Sequence, residues 1–160
     1  MTSTAAPDGV MPTNELPQET LAFAHRMFDG ARNGQTELLQ AALGSGLPAN
    51  LTNDEGNTLL MLAAYAGHVD LTRSLVERGG DPNRINDKGQ SIVAGAVFKG
   101  HTEIVRILMA AGADARLGTP TAIQTARVFR RNDLFEVLGM KDDDLREEVP
   151  SIPAPPPSTS

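Results

Sequence analysis

One internal recurrence limits what this chain can fold into more than any other feature. Residues 54–83, DEGNTLLMLAAYAGHVDLTRSLVERGGDPN, return 33 positions later as residues 87–116, DKGQSIVAGAVFKGHTEIVRILMAAGADAR. Gly56 falls on Gly89, Ala63 on Ala96, Gly67 and His68 on Gly100 and His101, and Leu75 on Leu108. Gly79 and Asp81 fall likewise on Gly112 and Asp114. A fixed period of this length marks stacked supersecondary units, because one such unit cannot bury its own apolar face.

Each landmark has a mechanical reason. Thr58 and Ser91 stand where a side-chain oxygen caps the first turn of a helix. Ala63 and Ala64, and then Ala94, Gly95 and Ala96, are small enough for neighbouring inner helices to approach closely. Gly67 and Gly100 permit the positive φ of a sharp helix-to-helix turn. Asp70 and Glu103 follow in the first turn of a second helix, where a negative charge complements the helix dipole. Leu71, Leu75 and Val76, with Ile104, Val105, Ile107 and Leu108 one period on, form the buried stripe of that helix.

The pattern D-x-G-x-[TS]…A-x-x-x-G-H…L-[VM]-x-x-G-x-D resembles the ankyrin repeat, over roughly residues 17–140. The chain is most similar to short bacterial ankyrin proteins with a stretch like TLLMLAAY, residues 58–65. The resemblance implies an all-α solenoid of about four helix-turn-helix units with projecting hairpin loops and degenerate terminal caps. It also has a departure. Where the family usually reads T-P-L-H, the second unit ends on Met61 and the third on Ala94. The histidine that ties down the hairpin is therefore missing, which predicts less rigid loops.

The four units fall near residues 17–50, 51–83, 84–116 and 117–140. Pro17 suits the first turn of a helix, and Gly34 and Gly46 precede Gly67 and Gly79 by one period. The first inner helix carries His25, Arg26, Asp29 and Arg32, as expected where one side faces water. The fourth unit aligns at a shift of 30, with three residues lost near 116–120. Arg130 then occupies the turn glycine's place, Asn132 is expected to take over the left-handed turn, and Asp133 starts the second helix. Residues 1–16 read as a disordered leader. Residues 141–160, first acidic and then proline-rich, read as a disordered tail that the fold does not need.

Composition removes several classes of function. An excess of 20 Asp and Glu over 14 Lys and Arg argues against nucleic acid or an anionic membrane as the main partner. The absence of cysteine excludes disulfides and thiolate chemistry. No secretory signal or membrane-length apolar run is visible, so a cytoplasmic protein is expected; a monomer is expected as well. His68 and His101 recur at one position, where a hydrogen bond across the neighbouring turn is expected and a metal site is not. The paired carboxylates sit on loop tips and in the tail, away from any pocket that would separate their pKa values. No phosphate-binding loop or nucleophile elbow is present. No catalytic residue, metal ligand or cofactor is assigned.

Function is expected instead at positions the fold does not need. In ankyrin stacks these are the hairpin tips and the solvent side of the inner helices, which line a concave groove. Carried onto this chain they are Arg32, Asn33 and Thr52, then Asp54, Glu55, Asn57, Tyr65 and Ala66. The third unit supplies Ile85, Asp87, Lys88, Gln90, Phe98 and Lys99, and the fourth supplies Val128 and Phe129. Tyr65, Phe98 and Val128 form an apolar row across three units, flanked by Arg32 at one end and by Lys99, Arg127, Arg130 and Arg131 at the other. Aromatic and arginine side chains are typical interface anchors; the competing reading has the two rings simply packing on neighbouring helices. The sequence thus points to a non-catalytic module that binds a partner protein. Two alternatives stand beside it: a structural subunit, stabiliser or inhibitor of a specific enzyme that is stable mainly in its complex, and an enzyme with an unrecognised site.

Overall fold

The computed structural model describes residues 18–148. The expected leader, residues 1–16, and the proline-rich residues 149–160 lie outside the described residues. Antiparallel helix pairs follow one another: α1 (Gln18–Asn33) with α2 (Thr36–Gly44), α3 (Leu59–Ala66) with α4 (Val69–Glu77), and α5 (Ile92–Lys99) with α6 (Thr102–Ala110). The fourth unit has α7 (Ala122–Val128), a 3-10 turn at Asn132–Leu134, and then α8 (Asp142–Arg146). Among the described residues there is no strand; isolated bridges pair Thr52 with Thr58 and Ile85 with Ser91 at the hairpin bases.

The units stack into two layers. In the inner layer α1 packs on α3, α3 on α5 and α5 on α7; in the outer layer α2 packs on α4 and α4 on α6. Ala31, Ala63, Ala64, Ala96, Ala122 and Ala126 are fully buried, and their small size sets the spacing of the inner layer. Leu39, Leu71, Leu75, Ile104, Val105 and Leu108 close the core from the outer helices. Core and layers are therefore continuous across the stack, as a repeat protein requires.

Local chemistry follows the expected positions. Thr58 Oγ1 accepts the Met61 N–H at 3.2 Å, and Ser91 Oγ accepts that of Ala94 at 3.2 Å. Thr121 closes a full capping box with Gln124, with bonds of 3.0 and 2.9 Å. Gly67 and Gly100 end their helices at φ 89° and 80°.

Two expectations are overturned. The left-handed turn of the fourth unit is taken by Arg130 itself, at φ 57°, while Asn132 opens the 3-10 turn. The backbone there follows the register of its neighbours: the Arg131 N–H bonds the Ala126 carbonyl at 2.8 Å, as the His101 N–H bonds that of Ala96 at 2.9 Å. Residues 141–148, read as part of a disordered tail, instead fold back onto the fourth unit through α8, and Asp144 is buried. The hairpin tie lost with the histidine is supplied elsewhere. Asn53 Oδ1 accepts the N–H groups of Glu55 and Asn57 at 2.9 and 3.0 Å. Asn86 Oδ1 accepts those of Lys88 and Gln90 at 3.0 and 2.9 Å. The Asn86 amide also donates to Asn57 Oδ1 at 2.9 Å, stitching one hairpin to the next.

Candidate functional site: the concave face

The concave face is built by the inner helices and the hairpins. Its main depression, about 470 Å³, lies between the second, third and fourth units. Met61, Leu62, Ile92, Ala94 and Phe98 give it an apolar floor, Asn57, Lys88 and Gln90 a polar rim, and Thr119, Pro120 and Thr125 a far wall. Tyr65 closes one side. Its ring lies over Gly95, where an added Cβ would stand 3.2 Å from Tyr65 Cδ1. Lys99 Nζ sits 4.8 Å from the centroid of the same ring, a cation–π contact. The ring remains 45% exposed.

Phe98, one unit on, is half-buried and meets Phe129 edge to face at 5.7 Å between centroids. The apolar row therefore continues into the fourth unit through Phe129, while Val128 is half-buried and does not line the depression. Of the expected site residues, Asn57, Tyr65, Lys88, Gln90 and Phe98 come together around this depression. Arg32, Asp54 and Glu55 line a second, shallower one of about 450 Å³ between the first two units, beside His25 and Asp29. Asn33, Ile85, Asp87, Lys99 and Phe129 line neither.

The basic flank also differs from expectation. Arg127 turns away to donate to the carbonyls of Asp144, Leu145 and Glu147 at 2.7, 3.1 and 2.7 Å. Arg131 pairs with Asp133 at 2.8 Å and donates to Thr102 Oγ1 at 2.8 Å. Lys99 is the flanking cation that reaches the aromatic row. Asn86, Met61, Leu62 and Pro120 were not anticipated as lining residues. For Asn86 a signal existed, since Asn53 precedes it by one period and makes the same turn.

The two repeated histidines are structural. His68 Nε2 meets the Arg32 carbonyl at 2.6 Å, and His101 Nε2 meets that of Tyr65 at 3.2 Å. A carbonyl can only accept, so Nε2 carries the proton in both. Burial pushes the His101 pKa down; the bond to Tyr65 opposes this, and the positive charges of Lys99 and His68 add to it. Among the described residues no group of three or more His, Asp or Glu side chains is placed to hold a metal ion. No helix of the described residues is long and apolar enough to cross a membrane.

Comparison with known proteins agrees with this architecture. The family profile described as ankyrin repeats (3 copies) matches residues 27–119. The "Putative ankyrin repeat protein PA3287" of Pseudomonas aeruginosa is 51% identical over 59 residues, which is 37% of this chain and 34% of that protein. The matched stretch thus spans about a third of the length of this curated relative.

Proposed function

Since the chain belongs to the ankyrin repeat family, whose repeats are generally protein–protein interaction modules, we infer that it is a non-catalytic binding module. It takes a partner protein on the depression framed by Asn57, Tyr65, Lys88, Gln90 and Phe98, with the hairpin tips around Asp54, Glu55, Ile85 and Asp87 extending the contact. It works by occlusion, scaffolding or stabilisation, as a cytoplasmic monomer. The observation that carries this reading is Tyr65. A glycine in mid-helix costs about 1 kcal/mol relative to alanine, and at Gly95 the space it leaves receives an aromatic ring that stays open to solvent. A ring held in place but not buried loses little freedom on binding, which suits an interface anchor.

The test is affinity capture from native cytosol by the wild-type protein beside a Tyr65→Ala, Phe98→Ala variant of confirmed fold. A partner retained by the first and lost by the second identifies both ligand and site. Capture of the same partners by both proteins would remove the groove as the binding surface.

A further inference from the structure

One asparagine sets the chemistry of the depression's polar rim. Asn86 is buried in the hairpin that opens the third unit, and its Oδ1 accepts the backbone N–H groups of Lys88 and Gln90 at 3.0 and 2.9 Å. A backbone N–H can only donate, so the other end of the Asn86 amide is its nitrogen. That nitrogen donates to Asn57 Oδ1 at 2.9 Å and to Gln90 Oε1 at 2.8 Å. Both neighbouring amides are thereby oriented. Their oxygens are taken by Asn86, and what they have left for the depression they line is N–H. The Asn57 nitrogen reaches Glu55 Oε1 at 3.5 Å, the outer limit of such a bond. The Gln90 nitrogen has no acceptor among the described residues.

The charges agree with the amides. Lys88 stands on the same rim, and Lys99 lies over the Tyr65 ring. Among the described residues neither forms an ion pair, although the chain carries 20 acidic residues against 14 basic ones. No Asp or Glu lines the depression. The Asp87 carboxylate turns toward the preceding hairpin, where a Cβ on Gly56 would stand 2.5 Å from its Oδ1. Amide N–H groups and an ammonium beside an apolar floor suit a carboxylate carried next to an apolar group, because hydrogen bonds to an ionised acceptor are roughly twice as strong as neutral ones. The surface also runs on past the depression, to Phe129 beside Phe98 and to Lys99 beside Tyr65, which gives a polypeptide more to hold than a small molecule uses.

We propose that the partner protein presents to this groove a segment in which Asp or Glu stands next to a bulky apolar residue. The apolar side chain enters the depression, and the carboxylate takes the N–H groups of Gln90 and Asn57 and the charge of Lys88. The inference rests on the groove being a protein-binding surface. The experiment selects a phage library of random twelve-residue peptides on the wild-type protein and measures the retained peptides by fluorescence anisotropy. Enrichment of Asp or Glu adjacent to Leu, Ile, Met or Phe is expected. Gln90→Glu keeps an acceptor for Asn86 and exchanges the N–H donor for a carboxylate oxygen, so it is expected to weaken an acidic peptide by about tenfold or more. Lys88→Glu should act in the same direction. The same peptide with its acids changed to Asn and Gln should lose nothing on Gln90→Glu.

A selection without acidic enrichment, or one that yields no peptide, overturns the proposal. Unchanged binding of an acidic peptide to both variants overturns it as well. Displacement of the peptide by an equal concentration of octanoate also does so, making the depression a site for a free carboxylate amphiphile. The underlying reading fails separately. Neutral peptides that are lost with Tyr65→Ala, Phe98→Ala would keep the groove and remove the carboxylate, whereas peptides that bind this variant as well as wild type would remove both.

Discussion

Arg116 and Asp144, 28 residues apart, form a two-pronged ion pair: Nη2 to Oδ2 at 2.7 Å and Nε to Oδ1 at 3.3 Å. The carboxylate is buried and also accepts the Lys141 N–H at 2.7 Å. Arg116 stands one period beyond Asn83 and two beyond Asn50, and the three are rungs of one ladder. Asn50 and Asn83 each donate to a glycine carbonyl of the next unit, Gly79 at 3.2 Å and Gly112 at 3.1 Å. Arg116 does the same to Gly139 at 2.9 Å, and its longer side chain reaches Asp144 as well. The ladder thus ends in a clasp that makes residues 141–148 part of the folded stack.

Removing the clasp should therefore destabilise the domain. Asp144→Ala strips Arg116 and the Lys141 N–H of their acceptor, and urea denaturation is expected to show a loss of about 1–3 kcal/mol. Arg116→Lys should recover little, because an ammonium cannot make the forked contact. An Asp144→Ala midpoint equal to wild type would mean that α8 contributes nothing to stability.

The same pair predicts an acid limb. Hydrogen bonding to Arg116, followed by the Lys141 N–H, holds the Asp144 carboxyl below its ordinary value of 3.8. With the folded pKa depressed, the contribution is present above 3.8 and fades as pH falls through that value toward the lower folded one. Wild type and Asp144→Asn should accordingly converge in stability as acid is added. A constant gap down the acid range would contradict the linkage.

His101 acts higher on the pH scale. Its folded pKa lies below 6.5, so the unfolded chain binds the proton more readily. The stability it contributes is intact above 6.5 and declines as pH falls through 6.5 toward the folded value. Denaturation midpoints for wild type should drop over that interval more than those of His101→Gln. Parallel profiles would show that the ring does not titrate against folding.

Turn glycines should fall into two classes. At Gly100 an added Cβ meets nothing closer than Arg131 Nη1 at 3.9 Å, so alanine there costs only the left-handed strain, about 1–2 kcal/mol. At Gly67 the Cβ would also stand 2.9 Å from the His101 ring, and at Gly34 2.6 Å from that of His68. Gly67→Ala is expected to melt lower than Gly100→Ala, and His101→Ala should relieve part of the difference. Equal melting of the two single variants would refute the steric component.

The aromatic row should separate under the same measurement. Tyr65 is 45% exposed, so its alanine variant is expected to stay within about 0.5 kcal/mol of wild type, as surface substitutions do. Phe98→Ala gives up the edge contact with Phe129 and part of a buried ring, which together are worth about 1–2 kcal/mol. A large loss at Tyr65 would recast that ring as core.

The helix pairs, their caps at Thr58 and Ser91, the turn glycines and the buried stripe were legible in the sequence alone. Each is a local demand, repeated at a fixed period, and a chain that states it twice leaves little room for another backbone. What the sequence did not disclose lies where distant residues meet. Arg116 and Arg127 read as loop and groove charges until the fold brings α8 against them and gives them carbonyls and a carboxylate to hold. The acidic run at 142–144 looks like solvated chain for the same reason; only an arginine 28 residues away makes burying Asp144 favourable. Tyr65 and Phe98 share a register position, yet one lies open over Gly95 and the other is braced by Phe129. Periodicity places equivalent residues on one face, but what each touches depends on its neighbours in the adjoining units, and those differ from repeat to repeat.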